Sequence, residues 1–311
     1  ILDCEMPVMN GLDALQEIMQ KTPVPVFMFS SQTREGAAVT VKALELGAVD
    51  FMLKPAGGPQ ELKAIANTLI QNITTVVVRG RNRLFVGRRA PAADKDVDIA
   101  RTVPVRKIDI IAMGSSTGGV KTGIELVKRL PAGLPPIVWV QHMPPTFTKS
   151  FAERLDGTGP LSVKEAQEGD ILRPGCCYLA PGGFQMEVIR SGSTYRIRIG
   201  GTEKVSGHCP SCNVLFESVA RLYGDNALGV IMTGMGDDGT KGLTGMHQRG
   251  AYVIGQNEAS CVVYGMPKSA FNAGAVNLEL NILQMSQAIA HICDRKQSAA
   301  GSDADKQGVR E

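Results

Sequence analysis

The sequence predicts an α/β protein built on parallel sheets. A smaller unit comes first, and a larger, doubly wound, Rossmann-like unit with an antiparallel hairpin follows. Three observations predict this. Short continuous apolar runs recur, among them VPVFMF (24–29), IDIIAMG (108–114) and ALGVIMTGM (227–235). Such runs suit parallel strands that are buried on both faces. Amphipathic stretches of helical period separate them. One stretch, STYRIRIGG (193–201), alternates with period two, as a half-exposed antiparallel strand does.

In chain order, GLDALQEIMQ (11–20) reads as a helix, VPVFMF as a strand, and GAAVTVKALELG (36–47) as a helix. AVDFML (48–53) is the next strand, and GPQELKAIANTLIQNITTV (58–76) the next helix. These define a first unit over residues 1–78. Residues 79–107 break the pattern with seven arginines, at 79, 81, 83, 88, 89, 101 and 106. That stretch reads as a solvated linker, with a basic docking arm as the other option. Alternation resumes over 108–294. IDIIAMG is followed by the helix GVKTGIELVKRL (119–130), then the strand PPIVWVQHM (135–143) with the sole tryptophan, Trp139. After the alternating strand come the helix NVLFESVARLYG (213–224), the strand ALGVIMTGM and the strand GAYVIGQ (250–256). The polar residues 295–311 read as a disordered tail.

Composition narrows the function classes. The 311 residues suit two domains. With 43% hydrophobic and 20% charged residues, the chain is not wholly disordered. A net charge of +3 does not by itself suggest a nucleic-acid partner. No apolar run approaches the roughly 18 residues of a membrane span, so no membrane insertion is expected. Seven cysteines at scattered spacings point away from a disulfide scaffold and toward the cytoplasm.

Three reactive side chains fall at the carboxyl ends of predicted strands. Ser116 follows IDIIAMG in the loop GSSTGG, His142 ends PPIVWVQ, and Asp238 follows ALGVIMTGM in GMGDDG. An open parallel sheet gathers its strand ends on one rim, where ligands bind. Serine, histidine and aspartate are also a nucleophile, a base and the carboxylate that orients the base. Gly114-x-Ser116-x-Gly118 fits a tight strand-to-helix turn that presents a hydroxyl outward. The N–H groups of the following helix, and of Gly234-Met235-Gly236, would be donors for an oxyanion. The order Ser, His, Asp differs from that of the α/β-hydrolases. A phosphate- or nucleotide-binding module using GSSTGG as a cradle stays open, and Asp237 competes for the role of Asp238. His208, Cys209 and Cys212 in SGHCPSCNVLF would suit zinc or redox chemistry, but no second ligand pair follows, so a helix-start role is expected.

Together, IAMGSSTGG, VQHMPPTFTKSFAERL, YLAPGG, VIMTGMGDDGTKGL and GQNEASCVVYGMPKSA resemble the catalytic domain of the chemotaxis protein-glutamate methylesterases, the CheB family. The resemblance implies hydrolysis of glutamyl methyl esters on methyl-accepting chemotaxis receptors, with methanol released, and deamidation of receptor glutamines. It makes Ser116 the nucleophile, His142 the base and acid, and Asp238 the orienting carboxylate. Thr117 and Met235 fall at oxyanion or substrate-contacting positions. No cofactor is implied for the esterase. Where the family often has an arginine, this sequence has Cys209.

The first unit is similar to the flavodoxin-like receiver domain of response regulators. LDCEMPVMNG makes Asp3 the phospho-acceptor, Ser30 the hydroxyl that meets the phosphoryl group, Lys54 its neutralising lysine and Phe51 the aromatic switch. The resemblance implies a chemotaxis histidine kinase as partner and Mg²⁺ for phosphorylation of an intact receiver. The acidic pair that would hold Mg²⁺ lies upstream of Asp3 in a receiver. This sequence is therefore expected to carry a partial receiver, poorly phosphorylated and without its metal site.

Overall fold

The computed structural model describes residues 1–31, 33–55, 59–80 and 97–294. Arginines 81, 83, 88 and 89 of the basic stretch and the tail 295–311 lie outside the described residues.

The first unit runs β1 (Leu2–Asp3), α1 (Gly11–Lys21), β2 (Phe27–Ser30), α2 (Arg34–Leu46), β3 (Asp50–Leu53) and α3 (Pro59–Gly80). Its three strands pair in parallel in the order β1-β2-β3, with Asp3 opposite Phe29 and Ser30 opposite Leu53. Local chemistry sets the helix ends. Asn10 and Thr33 cap α1 and α2 through their side chains, and Gly47 ends α2 at φ +116°, a conformation that favours glycine.

Residues 97–107 lead into the larger unit and lie against it. Asp98 caps the short α4 (Ile99–Thr102), and Val103 is buried. Arg106 donates to the Gly250 carbonyl at 2.7 Å, with its guanidinium 6.0 Å from the Tyr252 ring.

The larger unit continues β4 (Ile110–Ser115), α5 (Gly119–Val127), β5 (Ile137–Gln141), α6 (Phe147–Asp156), β6 (Ser162–Glu165) and β7 (Cys176–Leu179). The hairpin β8 (Gln185–Ser191) and β9 (Thr194–Gly200) follows, then α7 (Cys212–Tyr223), β10 (Ala227–Ile231) and α8 (Thr240–Gln248). β11 (Tyr252–Gln256), α9 (Met266–Asn272), β12 (Leu278–Leu280) and α10 (Ile282–Ile292) complete it. Seven strands form one parallel sheet in the order β12-β11-β10-β4-β5-β7-β6. β8 and β9 pair antiparallel, as the period-two pattern predicts. Every residue of β4, β5 and β10 is buried, which is why these strands read as unbroken apolar runs.

The strand order decides where a site forms. From β4 the chain moves to β5 on one side, then returns to β10 on the other. The sheet therefore reverses between β4 and β10, and a crevice opens at their carboxyl ends. The first unit packs there. α2 lies against α5 and α6, and Ile73 and Val76 of α3 cluster with Met235, Val262 and Val263.

Candidate active site

The rim carries Ser116, His142 and Asp238. Ser115 of β4 pairs with Gln141 of β5, so Ser116 and His142 leave adjacent strands at the same level. Backbone bonds tie the rim together: Ser116 N–H donates to Thr233 O at 3.0 Å, and His142 N–H to Ser115 O at 3.0 Å. Gly118 begins α5 at φ +81°, which lets the chain turn sharply after Ser116. Gly234 must also be small, because a Cβ there would lie 2.8 Å from Ser116 Cβ and 2.3 Å from Met266 Sδ.

Buried polar groups hold these loops. Trp139 Nε1 donates to Ser115 Oγ at 2.8 Å, and that hydroxyl donates to Gln141 Oε1 at 2.6 Å. The Gln141 amide nitrogen donates to the carbonyls of both Ser116 (2.9 Å) and His142 (3.2 Å). One side chain thus fixes the backbone of both Ser116 and His142, at almost complete burial. Sequence reasoning missed Gln141, because a glutamine at a strand end carries no motif.

His142 Nε2 lies 2.8 Å from Asp238 Oδ2. That carboxylate also accepts from Cys212 N–H (2.6 Å), and its other oxygen accepts from Ser211 Oγ–H (2.7 Å) and Asn213 N–H (3.3 Å). Ser211 caps α7, so the positive end of that helix faces Asp238. Burial works to raise Asp238, but the bonds from His142, Ser211 and Cys212 N–H outweigh it and hold the carboxyl below its ordinary range. An ionised Asp238 keeps the proton on Nε2 of a neutral imidazole and leaves Nδ1 as an acceptor. His142 Nδ1 is buried and has no hydrogen-bond partner, Ser116 included. Asp237, in contrast, is exposed.

His208 stacks on His142, with ring centroids 3.7 Å apart and an interplanar angle of 5°. Burial first, and the nearby His142 second, push His208 down to about 4, so it covers His142 without adding charge at neutral pH. The C-x-x-C pair separates. Cys209 Sγ faces the Gly201 carbonyl at 3.8 Å, while the Cys212 thiol lies 3.7 Å from His142 Nε2. Among the described residues, the one group of three side chains able to hold a metal is His142, Cys212 and Asp238.

The first unit reaches into this crevice. Thr117 Oγ1 donates to the Asp50 carboxylate at 2.5 Å, and Met235 packs under α3. Burial raises Asp50 above its ordinary range, although the Thr117 hydroxyl and the Phe51 amide oppose the shift. Phe51 stacks on Phe147 of α6 at 4.6 Å, and Arg154 pairs with Glu45. A cavity of about 90 Å³ is left between Asp50, Phe51, Ser116 and His142.

At the other candidate site, Lys54 Nζ lies 2.9 Å from Asp3 Oδ1 and 3.4 Å from Glu5 Oε2. Burial works to raise Asp3, but Lys54 and the Glu5 amide outweigh it and lower the carboxyl. Ser30 is fully buried and bonds to Thr40 and the Gly36 carbonyl. It is Ser31 whose hydroxyl meets Glu5, at 3.1 Å. The described side chains beside Asp3 include two carboxylates, Asp3 and Glu5, both paired with Lys54.

Comparison with known proteins decides the family. Residues 111–289 match the CheB methylesterase family, and residues 1–67 match the response regulator receiver domain. The chain belongs to the CheB methylesterase family. A protein-glutamate methylesterase/protein-glutamine glutaminase 1 of Caulobacter vibrioides is 46% identical over 296 residues, covering 95% of this chain and 84% of that protein. A protein-glutamate methylesterase/protein-glutamine glutaminase of Salmonella typhi is 45% identical over 286 residues, covering 92% and 80%. The crystal structure of the Thermotoga maritima CheB methylesterase catalytic domain is 36% identical, with TM-score 0.58, covering 60% of this chain and 98% of that one. The fold is thus that of a CheB catalytic domain preceded by a receiver. None of these relatives is a phosphate- or nucleotide-binding module, so the cradle reading of GSSTGG finds no support. No helix among the described residues is long and apolar enough to cross a membrane.

Proposed function

We propose that this CheB family member hydrolyses glutamyl methyl esters, and deamidates glutamines, on methyl-accepting chemotaxis receptors. Ser116, His142 and Asp238 act as nucleophile, base and orienting carboxylate. The observation that carries the reading is the His142–Asp238 bond of 2.8 Å, set beside Ser116 at the point where the sheet reverses. Ser116 Oγ attacks the ester carbonyl while His142 Nδ1, the nitrogen without a partner, takes its proton. Asp238 stabilises the imidazolium that results. Backbone amides around Thr117 and Met235 receive the oxyanion. His142 returns the proton to the methoxy oxygen, which departs as methanol. Water, deprotonated by the same nitrogen, then releases the glutamate. For a glutamine the leaving group is ammonia.

Residues 1–78 serve as the receiver and 108–294 as the esterase, joined by 79–107. The receiver regulates by occupying the crevice: Asp50 holds Thr117, and α3 covers Met235. A chemotaxis histidine kinase phosphorylating Asp3 would add charge against Lys54 and shift Phe51, which touches Phe147. Such a protein works in the cytoplasm, needs no cofactor for ester hydrolysis and has no nucleic-acid partner. Methanol release from methylated receptor membranes tests the reading. Ser116→Ala and His142→Ala should abolish it, and full activity in Ser116→Ala would overturn the assignment.

A further inference from the structure

Ester hydrolysis makes no use of the Cys212 side chain. The thiol is fully buried and sits 3.7 Å from His142 Nε2. Burial, reinforced by the Asp238 charge, raises it well above the ordinary thiol range. A protonated thiol is a poor nucleophile, so it does not compete with Ser116. It does complete a ligand set. His142 Nε2, Cys212 Sγ and an Asp238 oxygen all lie within 4.8 Å of one another.

Imidazole nitrogen, thiolate sulfur and carboxylate oxygen are the donors that Zn²⁺ takes, at about 2.0–2.3 Å in a tetrahedron. Those bond lengths place ligand atoms about 3.3–3.8 Å apart. The Nε2–Sγ separation of 3.7 Å already falls in that range. The Nε2–Oδ2 pair, at 2.8 Å, needs to open by roughly 0.5 Å as the metal replaces the proton between them. Asp238 stays oriented meanwhile, because Ser211 Oγ–H and Asn213 N–H hold its other oxygen.

We infer that His142, Cys212 and Asp238 form a three-ligand Zn²⁺ site whose occupancy switches the esterase off. Coordination rests on these side chains alone. Inhibition rests on the proposed roles of Ser116 and His142. The proton balance explains the inhibition. Zinc takes the Nε2 lone pair, so the imidazole proton moves to Nδ1, which is buried and unpartnered. Cys212 releases its thiol proton to solvent as it binds. One Zn²⁺ enters and one proton leaves. His142 then carries a proton on the nitrogen that must accept one from Ser116.

The test uses the full chain. Zn²⁺ binding is measured by competition with a chromophoric chelator, Co²⁺ binding by absorption, and activity by methanol release from methylated receptor membranes. The expected result is one Zn²⁺ per chain, and a thiolate-to-Co²⁺ charge-transfer band in the near ultraviolet. Cys212→Val should weaken Zn²⁺ binding by at least about tenfold, whereas Ser116→Ala and Cys209→Ser should not. Zinc should stop methanol release reversibly, and Cys212→Val should tolerate at least about tenfold more zinc relative to its own metal-free rate. No stoichiometric binding, no charge-transfer band, or equal binding by Cys212→Val would overturn the site. Binding with undiminished methanol release would overturn the switch. Because the Co²⁺ band is read on the unmutated chain, a misfolded variant cannot decide the matter. If no sample releases methanol, the esterase reading fails, while the chelator competition still decides the metal site.

Discussion

Asp238→Asn tests how the carboxylate works, and the structure predicts its size. Asp238 accepts four bonds through its two oxygens. An asparagine can keep the important ones. With its carbonyl oxygen in the place of Oδ2, it still accepts from His142 Nε2–H and Cys212 N–H. Its NH₂ then faces Ser211 Oγ, which can turn to accept, and Asn213 N–H, whose 3.3 Å bond is the weakest of the four. The histidine tautomer and the α7 cap therefore survive, and what disappears is the charge. A full charge pair at 2.8 Å and an effective dielectric of about 20 is worth about 6 kcal/mol. The hydrogen bond from the charged imidazolium to the asparagine carbonyl that remains returns about 1.5–3 kcal/mol. The imidazolium of the transition state thus loses about 4 kcal/mol, roughly a thousandfold in kcat with KM little changed. Asp238→Ala should cost more, because it also leaves Ser211, Cys212 and Asn213 donors without an acceptor. The assay is methanol release from methyl-labelled receptor membranes, with thermal melts to show that both variants fold. Asp238→Asn within threefold of the unmutated rate would refute the electrostatic role.

Other consequences follow from the same contacts. Phe51→Ala removes a stacked ring worth about 1.5 kcal/mol, so methanol release by the unphosphorylated chain should rise about tenfold; an unchanged rate would mean the receiver is not held through Phe147. Gln141→Ala frees two backbone carbonyls and orphans Ser115, so the melting temperature should fall with a loss of about 1–3 kcal/mol, alongside kcat. Asp238 has a depressed folded-state pKa, so its contribution to stability is present above the ordinary aspartate value and is lost as pH falls through the folded value. Acid unfolding of Asp238→Asn, followed by circular dichroism, should accordingly be less steep over that window. Asp50 has the opposite sign: its raised pKa favours the docked receiver in acid and weakens docking as pH rises. The activity ratio of unmutated chain to Asp50→Asn should therefore increase with pH, and a flat ratio would rule out Asp50 as the titrating contact.

Much of this protein is legible in one dimension because its chemistry sits where strands end. Buried parallel strands must be apolar throughout, and the loops after them must turn sharply, so β4, β5 and β10 announce themselves; Ser116 and His142 stand directly after β4 and β5, and Asp238 lies in the loop that follows β10. Shorter or atypical elements do not. β7 is the four residues CCYL and β12 is three residues, too short for a period to show, so pattern alone passes over them. The receiver is a similar case. Asp3, Ser30, Phe51 and Lys54 are picked out by the resemblance to a receiver, whereas only the pleat shows that the Ser30 side chain is buried while that of Ser31 faces Glu5.

The sequence by itself determined that Ser116 and His142 follow buried strands, and the periodicities that make two parallel sheets, since those follow from local burial and turn chemistry. Tertiary structure decided which groups meet. Gln141 fixes two loops because β5 lies beside β4. Asp50 reaches Thr117 because the receiver packs over the point where the sheet reverses. Cys212, rather than Cys209, faces His142 because Ser211 starts α7, whose first N–H groups point at Asp238. The Gln141–Ser116, Asp50–Thr117 and Cys212–His142 contacts join residues 25, 67 and 70 positions apart. No local rule encodes them, because they arise when separate elements bury their apolar faces against one another.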